Sequence, residues 1–473
     1  MQPVIVWLRQ DFRLSDNPAL TCAARSGRPV VPLYLLDDET PGGRQAGGAS
    51  RWWLHKSLEH LSAEFSKHRV KLILRRGAAK PVIRALAREI DAVGVYWNRC
   101  YEPYALRGDA GIVRMLNIER IEAKSFNASL LFEPHAVKNK SGRPFKVFTP
   151  FWRNIRAREV SAPLRAPCKL HGFSQHIDSD DLGDWKLLPT KPDWAGGLRK
   201  TWKPGEAGGK KRLTSFLRAI NSYTKGRDRL DEDGTSRLSP HLHFGEVSAR
   251  QIWHAVKVHH HTAAADKFLS ELAWREFCHH LLFNNPAMPR DPLDKRFSHF
   301  PWSRSTKALT AWTKGQTGVP MVDAGMRQLW TTGWMHNRVR MIAASFLIKH
   351  LAIRWQKGEE WFWDTLIDAD LANNSANWQW VAGCGADAAP FFRIFNPVLQ
   401  GKKFDPEGGY VRKWVPEIAK LPDKYLHNPW EAPAEVLKKA DVILGETYPE
   451  PLVDLAKARD HALAAFRALP RSA

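Results

Sequence analysis

The chain has 473 residues, of which 44% are hydrophobic, so it exceeds a single-core domain and two or three domains are expected. Its formal net charge of +22 indicates a polyanionic partner, nucleic acid first and an anionic membrane surface second. It contains no run of about 18 apolar residues, which argues against a membrane-spanning helix.

The first part of the chain alternates between strand-like and helix-like patterns. Four short apolar runs are predicted strands: Val4–Trp7, Val30–Leu36, Val70–Leu74 and Ala92–Trp97. Helical patterns lie between them: from Ala19, over about Ser50 to His68, and over Pro81–Ile90. This alternation predicts a Rossmann-like α/β domain over residues 1–130, with a parallel sheet covered on both faces. The sequence has no G-x-G-x-x-G turn, so an ordinary dinucleotide site is not supported.

The rest of the chain divides into a connector and a helical domain. Residues 131–210 are rich in Pro, Gly, Trp and Lys and are predicted to form an interdomain connector with little regular structure. From residue 211 to 473 strand signals are scarce, so an all-α C-terminal domain is expected. The best helix candidates are Phe268–Phe283, Met321–Trp330, His336–Arg354 and Pro451–Leu469.

The cysteines and the first residues indicate a cytoplasmic protein. No charged stretch followed by an apolar one opens the sequence, so no signal peptide is expected. Five cysteines are odd in number, widely spaced and without metal-site spacing: Cys22, Cys100, Cys168, Cys278 and Cys384. We therefore expect reduced thiols, no disulfide framework and no metal site. A monomer is expected.

The most unusual segment is Asp368–Trp380, which holds two carboxylates, three asparagines and two tryptophans in thirteen residues. On a helix, Asp370, Asn374 and Trp378 would lie at i, i+4 and i+8 and share one face. Such a face is a poor apolar core, because buried amides and carboxylates must be hydrogen-bonded. It suits a polar heterocycle gripped along its edge, beside an oxidisable indole.

Three further clusters carry polar chemistry. In Tyr223–Gly245, the hydroxyls of Thr235 and Ser236 precede Leu238-Ser239-Pro240, which predicts an anion site or an ordinary helix N-cap. In the segment ELAWREF, Glu271, Trp274 and Arg275 share a helix face, as a binding face or a surface salt-bridge patch.

The third cluster follows Gly333 and contains Asn337, Arg338, Arg340 and Met341 within about one helical turn. The two arginines are two positions apart and point in different directions, so one can face inward. An inward arginine needs an acid, and Asp368 is the expected partner.

Together with the opening phrase VWLRQDFRLSDNPAL, these motifs resemble the DNA photolyase/cryptochrome family in the same order along the chain. The resemblance implies a light-driven lyase that carries non-covalent FAD and repairs pyrimidine dimers in DNA. It implies FAD contacts at Tyr223, Thr235, Ser236, Arg237, Leu238, Ser239, Arg275, Asn337, Arg340, Asp368, Ala369, Asp370 and Asn374. It implies damaged-DNA contacts at Glu271, Trp274, Asn337, Arg338, Met341 and Trp380.

The resemblance also implies roles in the reaction. Asn374 is expected beside flavin N5, favouring the reduced state, and Glu271 is expected to hydrogen-bond the dimer. Trp302, Trp355 and Trp378 occur where the family places its electron-transfer chain from the surface to the flavin. Spacing alone could not select these three from 21 tryptophans.

Within the family, three features favour repair of cyclobutane pyrimidine dimers. Asn337 stands where 6-4 repair enzymes carry histidine. Trp274 and Trp380 keep the aromatic platforms expected around a flipped dimer. No long extension follows the last predicted helix, unlike in many cryptochromes. The alternatives are a cryptochrome-type blue-light receptor and a DNA-binding protein without enzymatic activity.

The expected antenna chromophore is 5,10-methenyltetrahydrofolate first and 8-hydroxy-deazaflavin second. Ala105 stands where folate enzymes of class I have glutamate, whereas the Glu102-Pro-Tyr104 and Ser50–Trp53 segments favour folate binding of the class III kind. The choice between class I and class III stays open at this point.

Overall fold

The computed structural model describes residues 1–40, 42–387 and 392–470. Its first part contains five strands: β1 Val4–Leu8, β2 Val30–Leu36, β3 Ile73–Arg76, β4 Gly94–Asn98 and β5 Glu122–Phe126. All neighbouring pairs are parallel, and the strand order is β3-β2-β1-β4-β5. β1 is central and fully buried, because its residues VIVWL are apolar on both faces of a covered sheet.

The described residues contain many more helices than strands. The helices of the first part are α1 Pro18–Arg25, α2 Gly48–Lys67, α3 Ala79–Glu89 and α4 Pro103–Ile118. The middle of the chain contains α5 Phe148–Arg156, α6 Gly196–Thr201, α7 Glu206–Ala219, α8 Tyr223–Gly226, α9 Ser239–His243, α10 Ala249–His259 and α11 Ala263–Asn284. The last part contains α12 Thr306–Lys314, α13 Pro320–Thr332, α14 Asn337–Ser345, α15 Trp355–Thr365, α16 Leu371–Ala382, α17 Pro397–Phe404, α18 Gly409–Trp414, α19 Asp423–Leu426, α20 Ala434–Lys439 and α21 Leu455–Arg467.

The α/β part and the helical part pack against each other through a shared core. One hydrophobic cluster joins sheet residues such as Val6 to Phe244, Trp334 and Ile367 from the helical part. The loop before α2 approaches α15 closely, since a Cβ on Gly47 would lie 2.3 Å from the Trp363 carbonyl oxygen. The predicted combination of a parallel α/β domain with a helical domain is therefore confirmed.

Some element predictions need correction. The single helix predicted over His336–Arg354 is wrong: α14 ends at Ser345, a π-helical turn spans Phe346–His350, and α15 begins only at Trp355. The strand predicted at Val70–Leu74 lies at Ile73–Arg76, and the connector contains α5, α6 and the start of α7. Apolar spacing alone hides such breaks, because the buried π turn keeps the hydrophobic pattern of a helix. Within the described residues, none of the helices combines the length and the hydropathy that a membrane crossing requires.

Candidate active site

A cavity of about 530 Å³ opens in the helical part, between α11, α14 and α16 and the segment before α9. Its volume is in the range of small-molecule and cofactor sites. Every residue predicted to contact FAD lines it: Tyr223, Thr235, Ser236, Arg237, Leu238, Ser239, Arg275, Asn337, Arg340, Asp368, Ala369, Asp370 and Asn374. Residues far apart in sequence thus form one concave, mixed polar and apolar wall.

The segment 235–239 supplies hydroxyls and cations to one end of the cavity. The anion site was predicted at a helix N-terminus, but α9 is only five residues long, so its dipole contributes little. Charge comes instead from the guanidinium of Arg237, which lies 5.0 Å from the Trp334 ring and whose Nε is 3.0 Å from Asp233 Oδ1. Arg212 holds the segment by donating from Nε to the Ser236 carbonyl at 2.9 Å.

Asp370 does not share a helical face with Asn374 and Trp378 as predicted, because it precedes α16 as its N-cap in extended conformation. Its Oδ1 accepts from the Asn373 backbone N–H at 2.7 Å. His279 Nε2 lies 3.4 Å and His243 Nδ1 lies 3.9 Å from its Oδ2. Burial alone would raise the pKa of Asp370, but these imidazoles lower it well below its ordinary value. The three predicted side chains still line the same cavity.

The Arg340–Asp368 pair predicted from sequence forms at 2.8 Å. Arg340 also donates to the Met335 carbonyl at 2.7 Å, so its guanidinium is fixed. The second carboxylate oxygen of Asp368 is buried and has no hydrogen-bond partner within the described residues. A buried oxygen of this kind costs free energy unless a ligand donates to it. The cavity therefore fits a polar heterocycle that carries donor groups, as FAD does.

The expected dimer contacts Glu271, Trp274, Asn337, Met341 and Trp380 also line the cavity. The Glu271 carboxylate pairs with Arg227 at 2.6 Å and with Lys267 at 2.9 Å. The motif therefore does form salt bridges, and these do not exclude the predicted binding role.

The two indoles differ in how they are held. Trp274 is stacked on Phe148 with ring centroids 3.8 Å apart and planes inclined by 9°. Trp380 is fixed by its indole N–H, which donates to the Asp387 carbonyl at 3.1 Å.

Arg338 is the one predicted DNA contact that does not line the cavity. Its guanidinium makes two hydrogen bonds to Asp228, at 2.8 and 2.9 Å. Burial raises the pKa of Asp228, but the Arg338 guanidinium lowers it, and the net shift is downward. Arg338 is thus paired and half-buried, outside the cavity wall.

The three tryptophans of the expected electron-transfer chain are connected through neighbouring residues. Trp378 lines the cavity, and its ring packs on Gly358, where a Cβ would lie 2.1 Å from Cη2. Gly358 and the buried Trp355 are on the same helix, α15. Ser303, the residue after Trp302, forms a β-bridge with Ile353, which is two residues before Trp355. Trp378 and Trp355 are both buried, and Trp302, which is partly exposed, is the one of the three that reaches solvent.

Several lining residues were missed by the sequence reasoning. Lys267 could have been found, since it stands four residues before Glu271 and forms an i,i+4 ion pair with it. Asn373, Asn377, Arg227 and His243 could also have been found, because they lie in segments whose composition is unusual, whereas the apolar residues gave no distinctive signal. The missed residues besides Lys267 are Arg227, Leu242, His243, Phe268, Leu272, Trp334, Met335, Ala344, Phe362, Leu366, Asn373, Asn377 and Val381.

Comparison with known proteins gives consistent matches. Residues 4–168 match the family model described as DNA photolyase, and residues 268–468 match the FAD binding domain of DNA photolyase. A deoxyribodipyrimidine photo-lyase of Agrobacterium fabrum is 50% identical over 99% of this chain and 98% of its own length. Cryptochrome-1 of Arabidopsis thaliana is 39% identical over 97% of this chain and 69% of its own. The crystal structure of a bacterial class III photolyase from Agrobacterium tumefaciens superposes with a TM-score of 0.96 at 49% identity, covering 99% of this chain and 98% of that one.

Proposed function

The chain belongs to the DNA photolyase family, and on that premise we propose that it is a deoxyribodipyrimidine photo-lyase that splits cyclobutane pyrimidine dimers in DNA. The observation that carries this proposal is the joint cavity, in which the Asp368–Trp380 segment meets Glu271 and Trp274. The first group of residues suits a flavin, and the second suits a pyrimidine dimer that has been turned out of the duplex.

FAD is the cofactor that the C-terminal family match implies and that the cavity fits. When bound and excited by light, reduced FAD supplies an electron. We propose that Thr235, Ser236 and Arg237 hold its phosphates, since hydroxyls and a guanidinium are suited to an anion. The Arg340–Asp368 pair, Asp370 and Asn374 would hold the ring system through their amide, carboxylate and guanidinium groups.

The chain's own residues would receive the damaged bases. Trp274 and Trp380 offer ring faces to a dimer that has been turned out of the duplex. The Glu271 carboxylate, neutralised by Arg227 and Lys267, would accept hydrogen bonds from the bases. Asn337 and Met341 would close the contact, and Arg338 would release Asp228 to bind a backbone phosphate.

Trp378, Trp355 and Trp302 would pass electrons inward from the surface. Indole is an oxidisable side chain, and the buried middle member is separated from water. This direction is supported by Trp302, which is partly exposed whereas the other two rings are buried.

We propose that the protein belongs to class III. The Agrobacterium tumefaciens structure that superposes over 99% of this chain is that of a class III photolyase. We propose folate as the antenna and place it in the α/β domain of residues 1–130, joined by residues 131–210 to the helical domain of 211–473. Deazaflavin is the second choice. Just after β1, Arg9 pairs with Asp109 at 2.9 Å, and Asp109 also accepts from the indole N–H of Trp97 in β4 at 2.8 Å. The strand order reverses between β1 and β4, where α/β sheets commonly bind ligands. An antenna ring bound at this place would have to displace the Arg9–Asp109 pair.

The proposal is tested by illuminating purified protein with an oligonucleotide that contains one defined dimer, with a dark sample as control. Light-dependent conversion to intact thymines is the expected result. Flavin absorption without conversion would favour the second candidate, a blue-light receptor, for which the similarity to Cryptochrome-1 speaks. A colourless protein that binds damaged and undamaged DNA equally would overturn both. The same absorption spectrum identifies the antenna. Gel filtration tests the proposed monomer, and fractionation tests the proposed cytoplasmic location.

A further inference from the structure

The side-chain amide of Asn374 is held in one orientation. Its Nδ2 donates to the Glu359 carbonyl at 3.1 Å and to Glu359 Oε1 at 2.7 Å. Both amide protons are thereby used. Among the described residues none donates to Asn374 Oδ1, and Asn374 lines the cavity. The oxygen is therefore the amide atom left to face a bound ligand.

This orientation depends on Glu359 accepting hydrogen bonds. Glu359 lies on α15 and is only 3% exposed. Burial raises the pKa of Glu359, and the neighbouring carboxylate of Glu360 acts in the same direction, although Lys357 pairs with Glu360 at 2.9 Å. A protonated Glu359 would carry an O–H donor, and the Asn374 amide could then turn over to present its NH2 group instead.

The Arg44 guanidinium opposes that protonation, and it comes from the α/β part of the chain. Arg44 Nη1 donates at 2.6 Å to the same Oε1 that accepts from Asn374. Its guanidinium also lies 4.3 Å from the centre of the Trp363 ring, one turn along α15 from Glu359. Arg44 and Glu359 are 315 positions apart in sequence.

The loop that carries Arg44 is fixed on α15 by further contacts. The Trp363 indole N–H donates to the Gln45 carbonyl at 2.8 Å, and Asp364 Oδ1 accepts from the Gly48 N–H at 2.8 Å. Gly47 allows this approach, since any side chain there would meet the Trp363 backbone. The position of Arg44 is thus determined by the domain interface.

We infer that Arg44 is a positioning residue: from the α/β domain it keeps Glu359 as an ionised acceptor, which holds the Asn374 oxygen toward the FAD cavity. The inference rests on the proposed FAD site. An acceptor at this place favours a flavin edge that carries N–H over one that carries a lone pair. The α/β domain would in this way tune the redox state of the cofactor without touching it.

The test compares three variants. Arg44→Met keeps an apolar stem over Trp363 and removes the cation. Arg44→Lys retains the cation. Asp364→Ala removes another contact of the same loop with α15 and leaves the Arg44–Glu359 pair in place, so it controls for a loosened interface.

The first readout is the midpoint potential of bound FAD, measured by spectroelectrochemistry. In Arg44→Met the preference for reduced over oxidised FAD should fall about tenfold, which is about 30 mV for a two-electron couple. Arg44→Lys should recover most of it, and Asp364→Ala should match the parent protein. An unchanged potential in Arg44→Met, or an equal change in Asp364→Ala, would overturn the inference.

The second readout needs no FAD. Infrared spectra of FAD-free protein should show a protonated-carboxyl C=O band in Arg44→Met that the parent lacks and that disappears in Arg44→Met/Glu359→Gln. Absence of that band would overturn the inference even if FAD binds normally. Failure of the parent protein to bind FAD would instead overturn the proposed function, and the infrared result would still decide whether Arg44 controls Glu359.

Discussion

At the scale of single residues, the site depends on polar side chains that are buried yet almost fully paired. Asn374, Asp370 and Asp368 follow one another closely in sequence, but each has a partner on a different helix or loop, and Asp368 keeps one buried oxygen without a partner among the described residues. Such groups are costly to bury without partners. Their arrangement is therefore typical of a binding site and not of a packed core.

Replacing Asn374 with alanine should weaken the preference for reduced FAD. The lost hydrogen bond is worth about 1 kcal/mol, so the lifetime of reduced FAD in air should fall roughly fivefold. The decay is followed by absorption after anaerobic reduction. Asn284→Ala is the control, because Asn284 does not line the cavity and its amide likewise donates one turn back along a helix, to the His280 carbonyl. Equal lifetimes for Asn374→Ala and the parent protein would contradict the role given to Asn374.

Replacing Asp370 with asparagine should destabilise the protein in a pH-dependent way. Asparagine can still cap α16, so mainly the charge interaction with His279 is lost. The pKa of Asp370 is lowered, so its contribution is present above the ordinary Asp value, near pH 4, and is lost as the pH falls through the folded-state pKa. Burial lowers the pKa of His279, but Asp370 raises it by more, so the net shift is upward. The contribution of His279 to stability is therefore present below about pH 6.5 and is lost as the pH rises through the raised pKa.

The difference in unfolding free energy between the parent and Asp370→Asn should therefore be largest between about pH 4 and pH 6.5 and reach about 3 kcal/mol there. Thermal unfolding at pH 5.5 and pH 9, at matched FAD content, measures it. A loss of the same size at both pH values would show that the cap or the packing matters, and not the ion pair.

At the scale of elements, α15 connects the functions of the site. One face of this helix carries Glu359 toward Asn374, another carries Gly358 under the Trp378 ring, and its first residue is Trp355. The helix also receives the loop of the α/β domain at Trp363 and Asp364. A shift of α15 would disturb the amide, the tryptophan series and the interface together.

Trp302→Phe should block photoreduction of oxidised FAD by an external reductant while enzyme reduced in the dark still repairs dimers. Phenylalanine is far harder to oxidise than tryptophan, so the outer end of the series is lost. Trp185→Phe, in the α/β core, is the control and should photoreduce normally. Photoreduction of Trp302→Phe at the parent rate would exclude Trp302 as the terminal donor.

At the scale of the whole molecule, the charge of +22 and the cavity have separate tasks. Cations distributed over the surface neutralise phosphates of any sequence and release counterions. Selection of the lesion depends instead on the aromatic rings at the cavity, where stacking is worth roughly 1–3 kcal/mol per base. Affinity and specificity should therefore respond differently to salt.

Titrations of damaged and undamaged duplexes at several salt concentrations test this separation. Affinity for both duplexes should fall steeply with salt. Trp274→Ala and Trp380→Ala should weaken binding of the damaged duplex by roughly 1–3 kcal/mol and leave the undamaged one nearly unchanged. Arg338→Ala should reduce the salt slope, provided Arg338 exchanges Asp228 for a phosphate.

Trp380→Ala is the cleaner of the two tryptophan variants, because Trp274 also stacks on Phe148 and its loss can loosen α5. Equal losses on both duplexes would show that the rings are structural and are not platforms for the lesion.

Much of the fold follows from local sequence. The strand Val30–Leu36 was predicted to the residue, because an apolar run bounded by polar residues forms a buried parallel strand. The order of the helices and the split into an α/β and a helical part follow from periodicity in the same way. The motifs proposed to contact FAD and DNA were recognisable because each is a compact run of unusual side chains, and their roles were inferred from the resemblance to the photolyase/cryptochrome family.

What periodicity could not reveal is where a buried helix stops or which distant groups meet. The π turn at Phe346–His350 is as apolar as a helix, and Asp370 caps α16 although its spacing matches a helical face. The Arg44–Glu359–Asn374 contact joins positions 315 and 15 residues apart. The sequence by itself determined most of the elements and the compact polar motifs, since these depend on neighbouring residues. Only the tertiary structure decided the orientation of the Asn374 amide and its link to the α/β domain, because hydrogen bonds and ion pairs depend on distances in space and not along the chain.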